Sequence, residues 1–380
     1  MKCIQFKIDS AQGVATLALP AAADLLLVFG ARMLLEDEAL FPALRQACPA
    51  ALITGCSTAG EIFGTEVHDD SIVITAVCFA ATRVHLVCST LTETAQSRLA
   101  GANLSDQLLG ERNHLALRHV LVLSDGLQVN GSELVQGLRD CLPQGVNTTG
   151  GLAGDGAVFG STVVMTNAPA RTGVIAAIGF YSERLHVGYG SVGGWDTFGP
   201  ERHITRAEGN VLFELDGESA LGLYKTYLGA QAANLPSSAL LFPLALYLPH
   251  ASTYVVRTVL GVDEATQSLT FAGDMPQGSH VQLMKSNLNR LVDGAIEAAG
   301  DNLAQLGTHL PELAILISCV GRKLVLKQRT EEETEGVADL LGAQATLAGF
   351  YSYGEIAPHS AFTRCELHNQ TMTVTTFSEN

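Results

Sequence analysis

The sequence predicts an α+β protein of two related modules, each a β-sheet flanked by helices, with glycine-rich loops at the strand ends. Three observations predict it. Of 380 residues, 47% are hydrophobic and only 16% charged, which supplies real cores and excludes general disorder. Short apolar runs of strand length alternate with stretches of helical character, the pattern of layered α and β elements. Two loops repeat one spacing: Gly55 and Gly60 lie as far apart as Gly349 and Gly354, and each second glycine is followed by Glu-Ile.

The elements follow in order along the chain. Residues 24–30 read as a short buried strand, 36–47 as a helix, 51–63 as a strand entering a glycine loop, and 71–79 as a β-rich stretch. A second copy has a strand at 119–125, a helix near 132–142, the loop 149–155 and strands near 161–166 and 173–180. A third has a strand at 313–319, a helix at 331–341, the loop 348–357 and a closing strand at 370–377. Residues 83–88 lead into a helix near 94–109, and 279–284 into one near 286–299, so about 67–180 and 240–377 read as two versions of one module. Thr330 with Glu333, and Asn130 with Glu133, have capping-box spacing. Gly342 stands where a helix end takes a residue tolerant of positive φ. A helix at 219–228 follows the turn residues Asp216-Gly217, and the boundary is placed there, giving domains 24–215 and 216–377.

Lys plus Arg number 22 against 38 Asp plus Glu, a formal charge of −16. So acidic a surface repels phosphate backbones and anionic headgroups, so no nucleic-acid or membrane partner is expected. The longest stretch free of charged residues, 226–256, holds Pro236, Pro243 and Pro249 and does not read as a spanning helix. The N-terminus shows no secretory pattern, and the 8 cysteines form no CxxC pair. That usage fits reduced thiols in a cytoplasmic protein.

The candidate site residues sit at strand ends, where α/β proteins place ligands. Glu61 and Glu355 would be carboxylates at the mouths of two related pockets, or would simply fasten turns. Ser57 lies in the first loop, and Tyr351, Ser352 and Tyr353 in its counterpart. Cys319 and Arg322 follow the most apolar strand, where an obligate cation can clamp a ligand carboxylate or pair with Glu355. No nucleophile elbow, P-loop, dinucleotide fingerprint or metalloprotease motif is present. The protein is therefore expected not to be an enzyme, with a nucleophilic Cys319 or Ser57 as the alternative. His250, His359 and His368 are the candidate metal ligands, since haem ligation needs one imidazole and imposes no spacing.

The phrases Gly55-Cys-Ser-Thr-Ala-Gly-Glu-Ile62, Gly150-Gly-Leu-Ala-Gly-Asp155, Cys319-Val-Gly-Arg322, Gly349-Phe-Tyr-Ser-Tyr-Gly-Glu-Ile356 and His368-Asn-Gln-Thr371 resemble the FIST family, with its N- and C-terminal halves in order over roughly 24–377. The resemblance implies a bacterial intracellular sensor of small ligands that works beside a histidine kinase, in a two-component system, or a cyclic-di-GMP enzyme. One branch binds haem b and senses nitric oxide, which would make His368, inside a family-like phrase, the first choice of axial ligand. The alternative is a sensor of a small organic anion or amino acid without haem. A homodimer is compatible with either reading.

Overall fold

The computed structural model describes residues 1–111, 115–248, 254–358 and 364–379. Three sheets surround one shared core, and their helices lie outside. The first sheet is built on Leu25–Gly30, which pairs in parallel with Leu52–Ser57 and antiparallel with Ile72–Cys78. The middle sheet repeats this kernel: Leu117–Ser124 is parallel to Asn147–Leu152 and antiparallel to Val174–Tyr181. The last repeats it again, with Leu313–Cys319 between Thr346–Ser352 and Met372–Ser378. The central strands, Leu25–Gly30, Leu117–Ser124 and Leu313–Cys319, are largely apolar on both faces because each is covered inside by the shared core and outside by helices. Phe29 meets Phe350, and Phe180 meets Phe377, with ring centroids 4.7 and 4.9 Å apart inside that core.

The sheets also exchange strands in a cycle. Glu61–Phe63, from the first unit, pairs with Thr346–Ser352 of the last. Gly354–Pro358, from the last, pairs with Asn147–Leu152 of the middle one. Val164–Thr166, from the middle, pairs with Leu52–Ser57 of the first. Every unit therefore completes the next, and the strand-end loops are drawn together.

The middle and last sheets share the order edge, antiparallel, central, parallel strand, as the repeat predicts. One element differs. The edge of the last sheet is His186–Val192, paired in full register with Met372–Ser378, whereas His280–Lys285 pairs with Leu244–Tyr247 and Asp196–Glu208 in a separate sheet. Gly190 explains why the edge is occupied: a Cβ there would lie 2.1 Å from the Ala298 carbonyl oxygen, so its lack of a side chain lets the helix Leu288–Leu306 press onto this strand. The stretch between edge strand and helix is an inserted β-rich unit with its own core, including Ile204, Leu212, Leu221, Leu246 and Phe271.

The capping predictions divide. Asn130 accepts from the Glu133 amide at 3.1 Å and begins the helix Gly131–Cys141. Gly342 ends Glu331–Leu341 at φ 85°. Thr330 is itself helical and its hydroxyl donates to the Lys327 carbonyl. Glu333 does not reach back to it, being taken by a buried cation described below. No helix among the described residues is long and apolar enough to cross a membrane.

Candidate functional site

Gly55, Gly150 and Gly349 occupy matching positions, opposite Val28, Val122 and Leu316 of the three central strands. A Cβ on any of them would stand 1.7–1.9 Å from the carbonyl oxygen opposite, so no side chain fits. Beyond them the loops bind one another around a ring: Ala59 N donates to Tyr351 O at 2.8 Å, Tyr353 N to Leu152 O at 3.2 Å, and Gly154 N to Ser57 O at 2.8 Å.

Glu61 and Glu355 are buried and have equivalent partners. Glu61 accepts from Thr58 Oγ1 at 2.5 Å and Ser71 Oγ at 2.7 Å. Glu355 accepts from Ser352 Oγ at 2.6 Å and Thr371 Oγ1 at 3.0 Å. Each carboxyl ties its loop to the start of the returning antiparallel strand. Burial raises Glu61 to about 7 and Glu355 to about 8, against the lowering effect of these hydrogen bonds. In the middle unit Asp155 takes over. Its carboxylate accepts from the amides of Phe159, Gly160 and Ser161, each at 2.9 Å, and from the Tyr353 hydroxyl.

Most of the other predicted residues serve this frame. Arg322 does not ion-pair with Glu355; it is fully buried against Glu333, with Nε 2.8 Å from Oε1. Its remaining donors reach Gly193 O and Leu291 O, both at 2.6 Å, and Gln370 O at 3.4 Å. Glu333 also accepts from Ser318 Oγ at 3.2 Å and Tyr351 OH at 3.1 Å. Ser57 Oγ accepts from the Val163 amide at 3.0 Å. Cys319 is buried, and desolvation pushes its thiol well above the usual range, the reverse of an activated nucleophile.

Tyr353 reaches a cleft. This cleft, of about 270 Å³, opens where the middle sheet ends and the inserted unit leans over it. Leu127, Leu152, Leu260, Phe271 and the Tyr353 ring give it an apolar floor, and Asn130, Asn210 and Asp274 give it polar corners. Asn130 Nδ2 donates to Asp274 Oδ1 at 3.1 Å across the gap. At the mouth, Phe159 stacks on Tyr353 with centroids 4.3 Å apart. Phe159 is 42% exposed and has φ 54°, a region that a bulky residue adopts at a cost of about 1–3 kcal/mol. Asp155 and the Tyr353 hydroxyl hold it there through its amide. Sequence reasoning missed Phe159, Asn130 and Asp274. The available signal was an aromatic side chain in the loop Asp155-Gly-Ala-Val-Phe-Gly160, between two glycines.

The predicted histidine ligands do not assemble a haem site in the described residues. His250 and His359 lie outside them. His368 is buried, and Nε2 is 2.9 Å from the Ala357 carbonyl. It borders a cleft of about 290 Å³ with Arg290, Glu297 and Asp301 on its wall. That volume lies at the lower limit of drug-sized sites, about 300–1,000 Å³, small for a porphyrin, and its wall sets two carboxylates against a single guanidinium. The surroundings of His368 therefore do not fit haem. No group of three or more His, Cys, Asp or Glu side chains suited to a metal ion occurs among the described residues.

Repeated units that complete one another around buried loops, with an aromatic-rimmed cleft beside them, define a protein of the α+β class. The chain belongs to the FIST family: its FIST N domain matches residues 24–218 and its FIST C domain residues 220–358. FIST domains are sensor domains of signal transduction that bind small ligands and signal to partner domains. No curated protein matches the chain in sequence. Among solved structures, a chorismatase is similar at 10% identity and TM-score 0.35, over 99% of this chain and 98% of its own. A cyanuric acid hydrolase from A. caulinodans is similar at 9% identity and TM-score 0.36, over 98% of each chain. Likeness at this level says nothing about activity.

Proposed function

We propose that this protein is a ligand-input component of a signalling system, and that it holds a small organic molecule, an organic anion or amino acid, without haem. The observation that carries the reading is the mouth of the cleft. A strained, exposed Phe159 stacked on Tyr353 has two costs, backbone strain and an aromatic face left in water, that the isolated fold does not require. A ligand laid against that ring offsets the second. The cleft is lined from both family domains, so an occupant touches both at once.

In this reading the ligand is held and not transformed, consistent with a Cys319 thiol made inert by burial and a Ser57 hydroxyl occupied by a backbone amide. The output passes to a separate protein, of which a histidine kinase or a cyclic-di-GMP enzyme is the expected class. The test is a thermal-shift screen of amino acids and small carboxylic acids on the parent and on Leu260→Trp, which fills the cleft from a residue 45% exposed. A true ligand at a hundredfold excess over Kd adds about 2.7 kcal/mol to the parent and leaves Leu260→Trp unshifted. Equal shifts in both proteins would remove the site. A Soret band after expression with added haem would instead restore a haem reading, through His250 or His359.

A further inference from the structure

The cleft beside Phe159 carries charge of one sign. Among the described residues no Lys, Arg or His side chain lines it, and its single carboxylate is that of Asp274. Asp274 Oδ1 accepts from Asn130 Nδ2 at 3.1 Å. Asn130 is itself fixed, because its Oδ1 caps the helix Gly131–Cys141 through the Glu133 amide. Oδ2 of Asp274 has no hydrogen-bond partner, and the carboxylate no ion pair, among the described residues. The one cation that feels its charge, Arg257, lies behind the cleft wall. That guanidinium donates to the Asp274 main-chain carbonyl at 3.2 Å and does not come within ion-pair distance of the carboxylate.

The other polar side chains of the lining favour the same occupant. Asn210 spends Nδ2 on the Phe271 carbonyl at 2.8 Å, which leaves its Oδ1 as a further acceptor. Thr94 Oγ1 donates to Gln128 O at 3.0 Å and the Tyr353 hydroxyl to Asp155, so neither proton is offered to an anion. A few placed polar groups decide which ligand a mostly apolar cleft takes. An oxyanion would meet a carboxylate here with no cation facing it. A primary ammonium brings three donors and no acceptor, and a hydrogen bond between two charged partners is the stronger kind. Leu127, Leu260 and the exposed ring of Phe159 supply a bed for an apolar body. The formal charge of −16 adds a long-range pull on cations.

We propose that Asp274 is the ammonium-recognition residue of the cleft: the occupant is a small organic amine whose –NH3⁺ group sits on Oδ2 while its apolar body lies against Leu127, Leu260 and Phe159. This rests on the reading that the cleft holds a ligand, and of the two classes named there only the amino acid carries the group. The experiment separates the proposal from that reading. 2-Phenylethylamine, the uncharged 2-phenylethanol and the anionic 3-phenylpropanoate are titrated calorimetrically into the full chain, into Asp274→Asn and into Leu260→Trp. The expected result is that the amine binds the parent at least tenfold more tightly than the alcohol, and the propanoate more weakly than either. Asp274→Asn keeps an acceptor for Asn130 and removes the charge, so the amine falls to the affinity of the alcohol. Unchanged binding of the alcohol shows that the variant is folded. If Asp274→Asn does not fold, Asp274→Ser, which also offers Asn130 an acceptor, carries the same comparison. Equal binding of the three probes by the parent, tightest binding of the propanoate, or an amine preference that survives substitution overturns the role of Asp274 and leaves the cleft intact as a site. If no probe binds the parent, or if Leu260→Trp binds them as the parent does, the proposal and the cleft reading fail together.

Discussion

Replacing Arg322 by Met tests whether the buried Arg322–Glu333 pair holds the last unit together. Met keeps the apolar stem but deletes donors to one carboxylate and three backbone carbonyls, those of Gly193, Leu291 and Gln370. Both side chains of the pair are wholly buried. Removing one partner of such a pair costs about 3–5 kcal/mol, because the charge left behind has neither water nor counter-ion. A carbonyl left with no other donor adds a desolvation penalty of about 1–3 kcal/mol where water cannot reach it; that of Gln370 keeps the Trp195 indole. The contributions are not additive, so about 3 kcal/mol is the floor. The assay is urea unfolding followed by tryptophan fluorescence. Trp195 is the sole tryptophan, and its Nε1 donates at 2.9 Å to the Gln370 carbonyl that Arg322 also holds. The double variant Arg322→Met with Glu333→Leu should recover part of the loss, since the carboxylate is then gone while the carbonyls of Gly193 and Leu291 still lack the Arg322 donors. A loss below about 1 kcal/mol at unchanged denaturant slope would refute the reasoning.

Two further outcomes follow from the same loops. Burial raises Glu355 to about 8 from an ordinary 4.5, so the folded protein keeps a proton that the unfolded chain releases. That contribution to stability is complete below pH 4.5 and is lost as pH rises towards 8, at no more than about 1.4 kcal/mol per pH unit. Glu355→Gln should therefore flatten the decline measured by urea unfolding between pH 5 and 8, and an identical slope in variant and parent would contradict the assignment. Gly349→Ala places a Cβ 1.8 Å from Leu316 O and should cost more than about 4 kcal/mol, at the extreme of single substitutions. Gly307→Ala, at φ 63° and ψ −109° with open space around it, should cost only the backbone strain, about 1–3 kcal/mol; equal unfolding midpoints for the two would remove the close-approach argument.

What could be read from the sequence was local or repeated. The central strands are largely apolar runs, and the glycines at 55, 150 and 349 recur because each faces the same carbonyl obstacle in its own sheet. What escaped was set by partners distant in the chain. Glu333 has the spacing of a capping residue from Thr330, but a buried cation eleven residues earlier outcompetes a backbone amide for its carboxylate. The stretch 279–284 has strand character like 83–88, but the edge position it would have filled is held by His186–Val192, nearly a hundred residues away.

The cleft illustrates why binding residues are harder to read than frames. Ser57, Glu61, Tyr351, Ser352 and Glu355 stood out through repetition, and repetition marks what every unit needs: a carboxyl to close its loop and a glycine to let strands meet. A ligand site needs the opposite, a place where the units differ. The middle loop is that place. Gly150 to Gly154 is one residue shorter than Gly55 to Gly60 or Gly349 to Gly354, so Asp155 replaces the Glu-Ile that follows the second glycine in the other two loops. Its shorter carboxylate gathers the amides of Phe159, Gly160 and Ser161 instead of tying down the returning strand. With the returning strand fastened instead by Asp125, whose Oδ2 accepts from the Gly173 amide at 2.7 Å, the segment turns outward and presents Phe159 beside Tyr353, while the unit inserted after residue 195 brings Leu260 and Asp274 to the opposite wall. Both departures from the repeat, one a deletion and the other an insertion, meet at the same cleft.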